Sequence, residues 1–462
     1  MAVAVERNAG QVPPPLVAVP VPGVEPGAWA AEGGGAGAVL RAVLGRGPVG
    51  RTELGRLTGL SPAAVSRHTA ALADLGMLRQ LPPPARPPRA GRPQLPVDID
   101  TAHHVALGVH IGVPWVTFAL VDLRGWVITE RRYPREGDAA EVLAGIRRRL
   151  PEFTARYTGG RSPLGLGVVT GGWVDPESGT VIEHAPLGWH DVPVREELSG
   201  AAGAGVRLPV HVDSHARALA RAELLFGAGR EHSELVHLFV GNVVDAAIAT
   251  GGTVLRGHRS GAGDMAHMPL NGATELCGCG RRGCFQAAVS ERRLAERAHA
   301  EHLIPAPDFT LLLVAAMEGR ARALDLLRER LRLVAQATAL LLDMINPSVL
   351  VLTEAAVIHL PQLLPEFHRE VAALSHLCED PARVVVPTSF GRRVLAVAAG
   401  ATVLDAVYRQ PMELRTVRRD GTRGGGVRDG ARDGLRDAVR DGHRDRGKGR
   451  DRRPDRDGRA AG

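Results

Sequence analysis

Three of the four cysteines of this chain lie in one short segment, Cys-Gly-Cys-Gly-Arg-Arg-Gly-Cys. The glycines between them let the backbone fold tightly, so the three sulfurs can meet at one point. A histidine ten residues upstream can return to supply a fourth ligand. Thiolates and imidazole are the ligands of four-coordinate structural zinc sites. The spacing therefore predicts one structural zinc ion per chain, without an open catalytic position, held by His267, Cys277, Cys279 and Cys284.

The alternative for these cysteines is a disulfide, or reduced side chains in a core. One disulfide would leave an odd cysteine, and sulfurs two and five residues apart around glycines suit a metal better than disulfide geometry. The N-terminus shows no charged segment followed by an apolar core, and the sequence has no apolar run of about 18 residues. We therefore expect a cytoplasmic protein without a membrane partner.

A second group of residues suits contact with DNA. Ser61 is placed to cap a helix, and Pro62 stands at its first position, where the missing N–H costs nothing. Between Val65 and Leu75 the apolar residues recur at helical spacing and predict the buried face. The small side chains of the outward face would let the helix approach base edges closely. The residues expected at DNA are Ser61, Pro62, Ala63, Ser66 and Arg67.

The segments around this helix complete a winged helix-turn-helix pattern. Two short helices precede it, and predicted strands at Met77–Leu81 and Val97–Ile99 enclose a proline-rich loop. That loop carries Arg86, Arg89 and Arg92, and extended arginines suit a narrow minor groove, where the potential is most negative. The alternative is a small three-helix bundle without a role in nucleic-acid binding.

The chain from Val105 onward predicts an α/β domain. Its opening pattern of strand, tight turn and two further strands is typical of an actin-like, ribonuclease-H-type fold. We predict a disordered leader at 1–33, a winged helix-turn-helix domain at 34–99, the α/β domain at 103–410 and a disordered tail at 411–462. The tail has sixteen basic and ten acidic residues, which leaves the rest of the chain near neutral, since the whole carries a net charge of +7. Such a tail is expected to be a solvated polyampholyte, or to make weak contact with DNA phosphates.

Gly-Ala-Gly-Asp-Met-Ala-His at 261–267, followed by the cysteine segment and Gln286, resembles a segment of the ROK family of repressors and sugar kinases. There the pattern is Gly-x-x-Gly-Glu-x-Gly-His, then Cys-x-Cys-Gly-x-x-Gly-Cys-x-Glu. The resemblance implies a two-lobed, sugar-kinase-like domain, and the repressors of the family carry the winged helix-turn-helix that its kinases lack. It also implies that His267 holds zinc and touches a sugar. The effector-binding residues that it implies are Ser214, His215, Asp264, His267 and Gln286.

The residues that match the catalytic and nucleotide positions of the kinases differ from the family pattern. His110–Pro114 stands where the kinases have Asp-x-Gly-Gly-Thr, and His215 stands at the position of the general base. Gly241–Asp245 replaces Gly-x-Gly-x-Gly, and Thr353–Glu354 replaces the two glycines that admit adenosine. A histidine can act as a base, but phosphoryl transfer depends mainly on positioning and charge neutralisation. We therefore expect no catalytic residue and no kinase activity.

The combined pattern is interpreted as a DNA-binding transcriptional regulator of the ROK type, a repressor. One recognition helix and one wing cover a half-site, so a homodimer or a dimer of dimers on a palindromic operator is expected. Sugar binding, including that of sugar phosphates, is expected to be weak or altered in specificity. Two alternatives stay open: a ROK sugar kinase with an added DNA-binding domain, and a DNA-binding ROK protein without an effector.

Overall fold

The computed structural model describes residues 34–82, 95–201 and 208–413. Its N-terminal part is a winged helix-turn-helix, as predicted. Ser61 caps the third helix by accepting a hydrogen bond from the N–H of Ala64, and the buried side chains of Val65, Thr69 and Leu72 face the other two helices. The two strands pair antiparallel. The elements are α1 (Gly34–Arg46), α2 (Arg51–Thr58), α3 (Pro62–Asp74), β1 (Leu78–Gln80) and β2 (Val97–Ile99).

The first lobe of the α/β domain is built on a five-stranded mixed sheet. Its strand order is β10-β6-β3-β4-β5, with β3 parallel to β6 and antiparallel to β4. A three-stranded sheet of β7, β8 and β9 packs beside it. The elements are β3 (His104–Ile111), β4 (Trp115–Asp122), β5 (Val127–Pro134), α4 (Ala139–Tyr157), β6 (Ser162–Thr170), β7 (Trp173–Asp175), β8 (Thr180–His184), β9 (Trp189–Val192), α5 (Val194–Leu198) and β10 (Val210–Ser214).

The second lobe has a five-stranded sheet of order β13-β12-β11-β14-β15, covered by helices that form its core. Among the residues that the structure describes, no helix combines the length and apolar character that a membrane crossing requires. The elements are α6 (His215–Phe226), β11 (Leu235–Val240), β12 (Val244–Thr250), β13 (Thr253–Val254), α7 (Phe285–Ala288), α8 (Glu291–Ala300), α9 (Phe309–Met317), α10 (Ala321–Ile345), β14 (Val349–Glu354), α11 (Ala355–His359), α12 (Leu364–Leu374), α13 (Pro381–Val384), β15 (Val385–Pro387) and α14 (Val394–Arg409).

Helix α14 packs on the first sheet and on the DNA-binding domain. Its close approach to β6 depends on Gly167, because a Cβ there would lie 2.0 Å from the carbonyl oxygen of Ala399. At its C-terminal end, the buried Tyr408 donates a hydrogen bond of 2.6 Å to the carbonyl of Leu123. Apolar side chains from α1, α2, α3, β3, β4 and α14 form one continuous core. The DNA-binding helices therefore pack directly on the α/β domain.

Candidate metal, ligand and DNA-binding sites

The four predicted metal ligands converge in the structure. The Nδ1 atom of His267 lies 3.5 Å from the Sγ atom of Cys277, and the Sγ atoms of Cys279 and Cys284 lie 3.7 Å apart. All four ligand atoms fall within 4.8 Å of one another. Tetrahedral zinc with Zn–S of about 2.3 Å and Zn–N of about 2.1 Å places sulfurs about 3.8 Å apart and sulfur and nitrogen about 3.6 Å apart. These two distances match a tetrahedral shell, and 3.7 Å between the sulfurs of Cys279 and Cys284 is far too long for a disulfide.

The cysteine loop is shaped by backbone hydrogen bonds and one glycine. The N–H of Cys277 donates to the carbonyl of Arg281 at 2.8 Å. Gly283 has a φ of +75°, and a Cβ there would lie 2.6 Å from the carbonyl oxygen of Ala273. Hydrogen bonds from the backbone and side chain of Arg281 hold the pKa of Cys279 at about 6, which favours the thiolate that metals require. Local backbone geometry thus prepares this loop for a cation.

A small cavity of about 90 Å³ lies beside His267, and we call it the acidic pocket. Of the residues that the resemblance assigns to an effector, Asp264, His267 and Gln286 line it. Ser214 and His215 do not. The side chain of Ser214 caps α6 and forms a hydrogen bond with Asp245, and His215 lines a different cavity. The structure therefore brings three of the five assigned residues together.

Three carboxylates line the acidic pocket, those of Glu183, Asp245 and Asp264. Its arginine, Arg217, is already used within the protein. The guanidinium donates to Asp213 at 2.7 Å, to the carbonyl of Ser260 at 2.9 Å and to the carbonyl of Val174 at 2.7 Å. The pocket therefore offers a ligand mainly hydrogen-bond acceptors, a pattern that suits hydroxyl groups.

Asp245 is a pocket residue that the sequence did not assign to this site. It is 8% exposed, and its Oδ2 atom has no hydrogen-bond partner among the described residues. Burial, together with the nearby charge of Asp264, raises the pKa of Asp245 to about 7. The available signal was a single charge in the otherwise apolar strand β12. The unpartnered oxygen is free to accept a hydrogen bond from a ligand.

A larger cavity of about 270 Å³ opens on the other side, and we call it the histidine cleft. His110, His184 and His215 line it and are 6%, 0% and 2% exposed. The ring of His215 lies 6.0 Å from that of His110 and 4.0 Å from that of Phe239, measured between centroids. Neither nitrogen of His215, nor Nε2 of His184, has a partner among the described residues.

The histidines of the cleft are neutral. Burial, and next the positive charge of a protonated His184, lowers the pKa of His110 to about 3. Burial lowers the pKa of His184 to about 4, and burial followed by the neighbouring imidazoles lowers that of His215 well below its usual range. A neutral imidazole offers one N–H donor and one acceptor nitrogen. The cleft thus holds uncharged hydrogen-bonding groups that lack partners.

Val243 separates the two cavities, since its side chain lines both. It belongs to the loop that the resemblance gives as Gly-x-Gly-x-Gly. A Cβ on Gly171, across the cleft, would lie 2.7 Å from the Cγ2 atom of Val243. Gly171 and the valine therefore form a close contact between the two spaces.

Thr353 and Glu354 stand at the two positions that the resemblance assigns to adenosine-binding glycines, and both contact other side chains of the protein. The Oγ1 atom of Thr353 lies 3.0 Å from Nε2 of His237. Glu354 forms a buried salt bridge with Arg330 and accepts a 2.7 Å hydrogen bond from the N–H of Val357 at the start of α11. The side chains of Arg330 and Glu354 are 1% and 0% exposed. These contacts link β14 to β11, α10 and α11.

The recognition helix presents the predicted residues to solvent. Pro62, Ala63, Ser66 and Arg67 are exposed on α3, and Ser61 is exposed at its cap. The predicted wing residues Arg86, Arg89 and Arg92 lie outside the described residues.

Comparison with known proteins identifies both parts of the chain. The ROK family profile matches residues 106–404, and the IclR helix-turn-helix domain profile matches residues 36–82. The transcriptional regulator Rv0485 of Mycobacterium tuberculosis is 33% identical over 409 residues, which cover 85% of this chain and 90% of that protein. The transcriptional dual regulator NagC of Escherichia coli is 25% identical and covers 71% of this chain and 82% of its own length.

A solved structure agrees with this assignment at the level of the fold. The crystal structure of a ROK family transcriptional regulator, described as a homologue of the E. coli MLC protein, superposes with a TM-score of 0.68. It covers 83% of this chain and 98% of its own, at 22% identity. The chain belongs to the ROK family and carries an IclR-type helix-turn-helix at its N-terminus.

Proposed function

We propose that this protein is a DNA-binding transcriptional regulator that represses its target genes. The observation that carries the proposal is the exposed face of α3 on a helix-turn-helix that shares a core with a ROK domain. Small side chains beside Arg67 suit entry into the major groove, where arginine reads guanine. Because one such module covers one half-site, the protein should bind a palindromic operator as a homodimer, and a dimer of dimers would bind two such operators. Such a protein would work in the cytoplasm, where the DNA is.

We propose that the protein has no kinase activity. The kinase positions carry His110, His215, Thr353 and Glu354, and the last two are engaged in contacts within the protein. The relatives named above are regulators by their own names. Without a base, a phosphate loop or space for adenosine, phosphoryl transfer lacks the positioning on which it depends.

The acidic pocket is the proposed place of a sugar effector. Asp264, His267 and Gln286 converge there, and Asp245 adds an unpartnered acceptor. The pocket volume of about 90 Å³ lies below the roughly 300 Å³ from which ligand pockets usually begin. A hexose therefore has to widen the pocket when it binds, which predicts weak affinity.

Zinc is the metal proposed for the cysteine cluster. A donor set of one imidazole and three thiolates is typical of structural zinc, and the four ligand atoms lie within 4.8 Å of one another, with two of the distances at tetrahedral values. Bound zinc would tie the cysteine loop to His267, which also lines the acidic pocket. The metal would thereby hold one wall of that pocket in place.

The experiment that tests the regulator proposal is selection of DNA sites by the full-length protein, followed by affinity measurement. Arg67→Ala should weaken binding to the selected site by about 5- to 150-fold, the equivalent of 1–3 kcal/mol for one base contact. Arg292→Ala, which changes an exposed arginine on α8, is the matched control. Failure to select any site, or equal losses for the two variants, would contradict the proposal.

The kinase alternative is tested by calorimetry with ATP and magnesium, which should show no binding. Saturable binding of ATP in that titration would favour the kinase alternative.

A further inference from the structure

We propose that the histidine cleft is a second effector site, which takes a small organic carboxylate with an apolar body and acts on DNA binding through α14. The binding claim is independent of the proposed sugar pocket. The effect on DNA rests on the proposed regulatory function.

The unpartnered imidazoles are the first observation. A buried polar atom without a hydrogen bond costs about 1–3 kcal/mol of stability. The two nitrogens of His215 and Nε2 of His184, which lack partners among the described residues, therefore destabilise the unliganded protein. Both residues are at least 98% buried, and both line the cleft. A carboxylate would accept one N–H hydrogen bond from each neutral ring and remove the cost of those donors, while the second nitrogen of His215 needs a donor such as water. The negative charge of the carboxylate would also favour protonation of the rings, which burial disfavours.

The beginning of α14 is the second observation. Val394 and Leu395, its first two residues, line the cleft together with Gly391 and Arg392 of the preceding turn. Among the described residues no side chain caps this helix, and the N–H of Val394 donates to the carbonyl of Gly391 in the preceding turn. The N-terminal end of a sixteen-residue helix carries a partial positive charge, which attracts anions. The guanidinium of Arg392 adds a full positive charge at the same place.

Other charges at the cleft are already engaged. Arg132 donates a 2.7 Å hydrogen bond to Glu130. Glu291 lies 3.9 Å from the buried Arg330 and is attracted to it. Arg330 is shared with Glu354, which it contacts more closely, and burial raises the pKa of Glu291, which favours its uncharged form. Arg392 and the positive end of α14 supply the positive charge for an anion.

Apolar side chains make up much of the remaining wall, including Ile111, Trp115, Phe239 and Ile358. Trp115 is 45% exposed, an unusual position for a large aromatic side chain in a protein of few aromatics. A cavity of about 270 Å³ lies just below the usual range for drug-sized ligands. These features favour an aromatic or short aliphatic acid over a nucleotide.

Helix α14 connects the cleft to the DNA-binding domain. At about 1.5 Å per residue its sixteen residues span about 24 Å. At its far end, the guanidinium of Arg41 on α1 donates a 3.2 Å hydrogen bond to the carbonyl of Tyr408. A Cβ on Gly37 would lie 2.8 Å from the carbonyl oxygen of Arg409, so α1 and α14 are in backbone contact. A ligand that shifts the start of α14 therefore moves the helix on which α1 packs.

The test uses full-length protein and two pairs of probes, benzoate with benzamide and hexanoate with hexanamide. Calorimetry and Trp fluorescence should show saturable binding of at least one acid at submillimolar concentration, and at least tenfold weaker binding of its amide. His215→Phe keeps the ring that packs on Phe239 but removes both nitrogens, and should weaken acid binding at least tenfold. If that variant folds poorly, Arg392→Gln at the exposed rim of the cleft serves instead, and it should weaken acid binding about threefold or more. Arg147→Gln, an exposed arginine on α4, should leave it unchanged.

The effector part is tested by repeating the operator titration with the bound acid at saturation. The apparent Kd for the operator should change at least fivefold, and the amide should have no such effect. Absence of acid binding, equal binding of acid and amide, or unaltered affinity in both cleft variants would overturn the site. Acid binding without a change in operator affinity would overturn the signalling role. A protein that binds the acid but no DNA would refute the proposed function while leaving the ligand site supported.

Discussion

The acidic pocket and the histidine cleft lie on two sides of the Val243 side chain, and they differ in how they are built. The acidic pocket has three carboxylates, and its wall at His267 continues into the cysteine cluster. The histidine cleft has neutral imidazoles and apolar walls. Asp264, His267 and Gln286 line the acidic pocket and His215 lines the cleft, so residues that the resemblance assigns to one effector site lie at two cavities of different chemistry.

The largest expected difference between the two regions concerns the metal. Cys284→Ser should reduce bound zinc from about one ion per chain to less than a tenth, because three ligands hold zinc far more weakly than four. Structural zinc contributes about 10–16 kcal/mol in small domains, so the loop should lose its order. Hydrogen exchange should rise in residues 261–286 and stay low in the strand β3 that borders the histidine cleft.

Cys378→Ser is the control for that experiment, since Cys378 lies outside the cluster. It should retain the metal and the exchange pattern of the unmodified protein. Full zinc content in Cys284→Ser, or increased exchange in β3 to the same extent, would remove the distinction between the two regions.

The next effect concerns the buried ion pair behind the histidine cleft. Arg330→Met leaves the carboxylate of Glu354 buried without its cation, which should cost about 3–5 kcal/mol in the free energy of unfolding. Arg328→Met changes a neighbouring arginine that is 35% exposed, and should cost about 1 kcal/mol or less. Denaturant unfolding monitored by circular dichroism measures both.

The double variant Arg330→Met with Glu354→Leu sharpens the same point. Removing both charges should restore part of the lost stability, since Glu354 no longer leaves an unpaired buried charge, although Glu291 still loses its 3.9 Å contact with Arg330. A double variant that is less stable than Arg330→Met would show that the pair is not what fixes the strand β14 to α10.

The acidic pocket has its own stability signature, in the dependence on pH. The pKa of Asp245 is raised from 3.8 to about 7, so the folded state favours the protonated carboxyl. Its contribution is fully present below the unfolded pKa and is lost as pH rises towards 7. Between pH 5 and pH 8 this amounts to about 2–3 kcal/mol of lost stability.

Asp245→Asn keeps the shape and cannot ionise, so this loss should disappear from the pH profile of unfolding. Asp308→Asn, at an exposed helix cap, should leave the profile unchanged. Parallel profiles for Asp245→Asn and the unmodified protein would refute the assignment of this titration to Asp245. The histidine cleft should change stability in the opposite direction over the same range. His110 and His184 have folded pKa values of about 3 and 4, against about 6.5 in the unfolded chain, so the stability gained from their neutral rings is present above about pH 6.5 and is lost as pH falls towards 5. This opposite slope is common to Asp245→Asn and the unmodified protein, so the difference between their two profiles isolates Asp245.

The cysteine cluster and the DNA-binding helix could be predicted because their determinants are local. Four ligands within eighteen residues, one histidine and three cysteines, can reach one point by backbone turns alone. Ser61 and Pro62 fix the start of α3, and the apolar spacing after them fixes its buried face. Both predictions needed no knowledge of distant parts of the chain.

The two cavities could be predicted only in part, because they depend on contacts between distant segments. Ser214 and His215 are adjacent in sequence, yet one contacts Asp245 and the other packs on Phe239. His184 comes from a strand without any motif and still reaches His110 and His215 closely enough to affect their pKa values. Aligning residues with a family pattern assigns positions, but side-chain direction at the start of a helix decides which cavity each residue serves.

The smallest expected effect comes from Val243, the residue that divides the two cavities. Val243→Ala removes two methyl groups from a buried side chain and should cost about 1–2 kcal/mol of stability. Because the valine separates spaces of about 90 and 270 Å³, its truncation should enlarge the acidic pocket and raise the affinity for glucose at least fivefold. Val236→Ala, in the fully buried part of β11, should cause a comparable loss of stability without a gain in glucose affinity. Calorimetry with glucose on the three proteins separates these outcomes, and unchanged affinity in Val243→Ala would mean that the width of the pocket is set by its carboxylates and not by the valine.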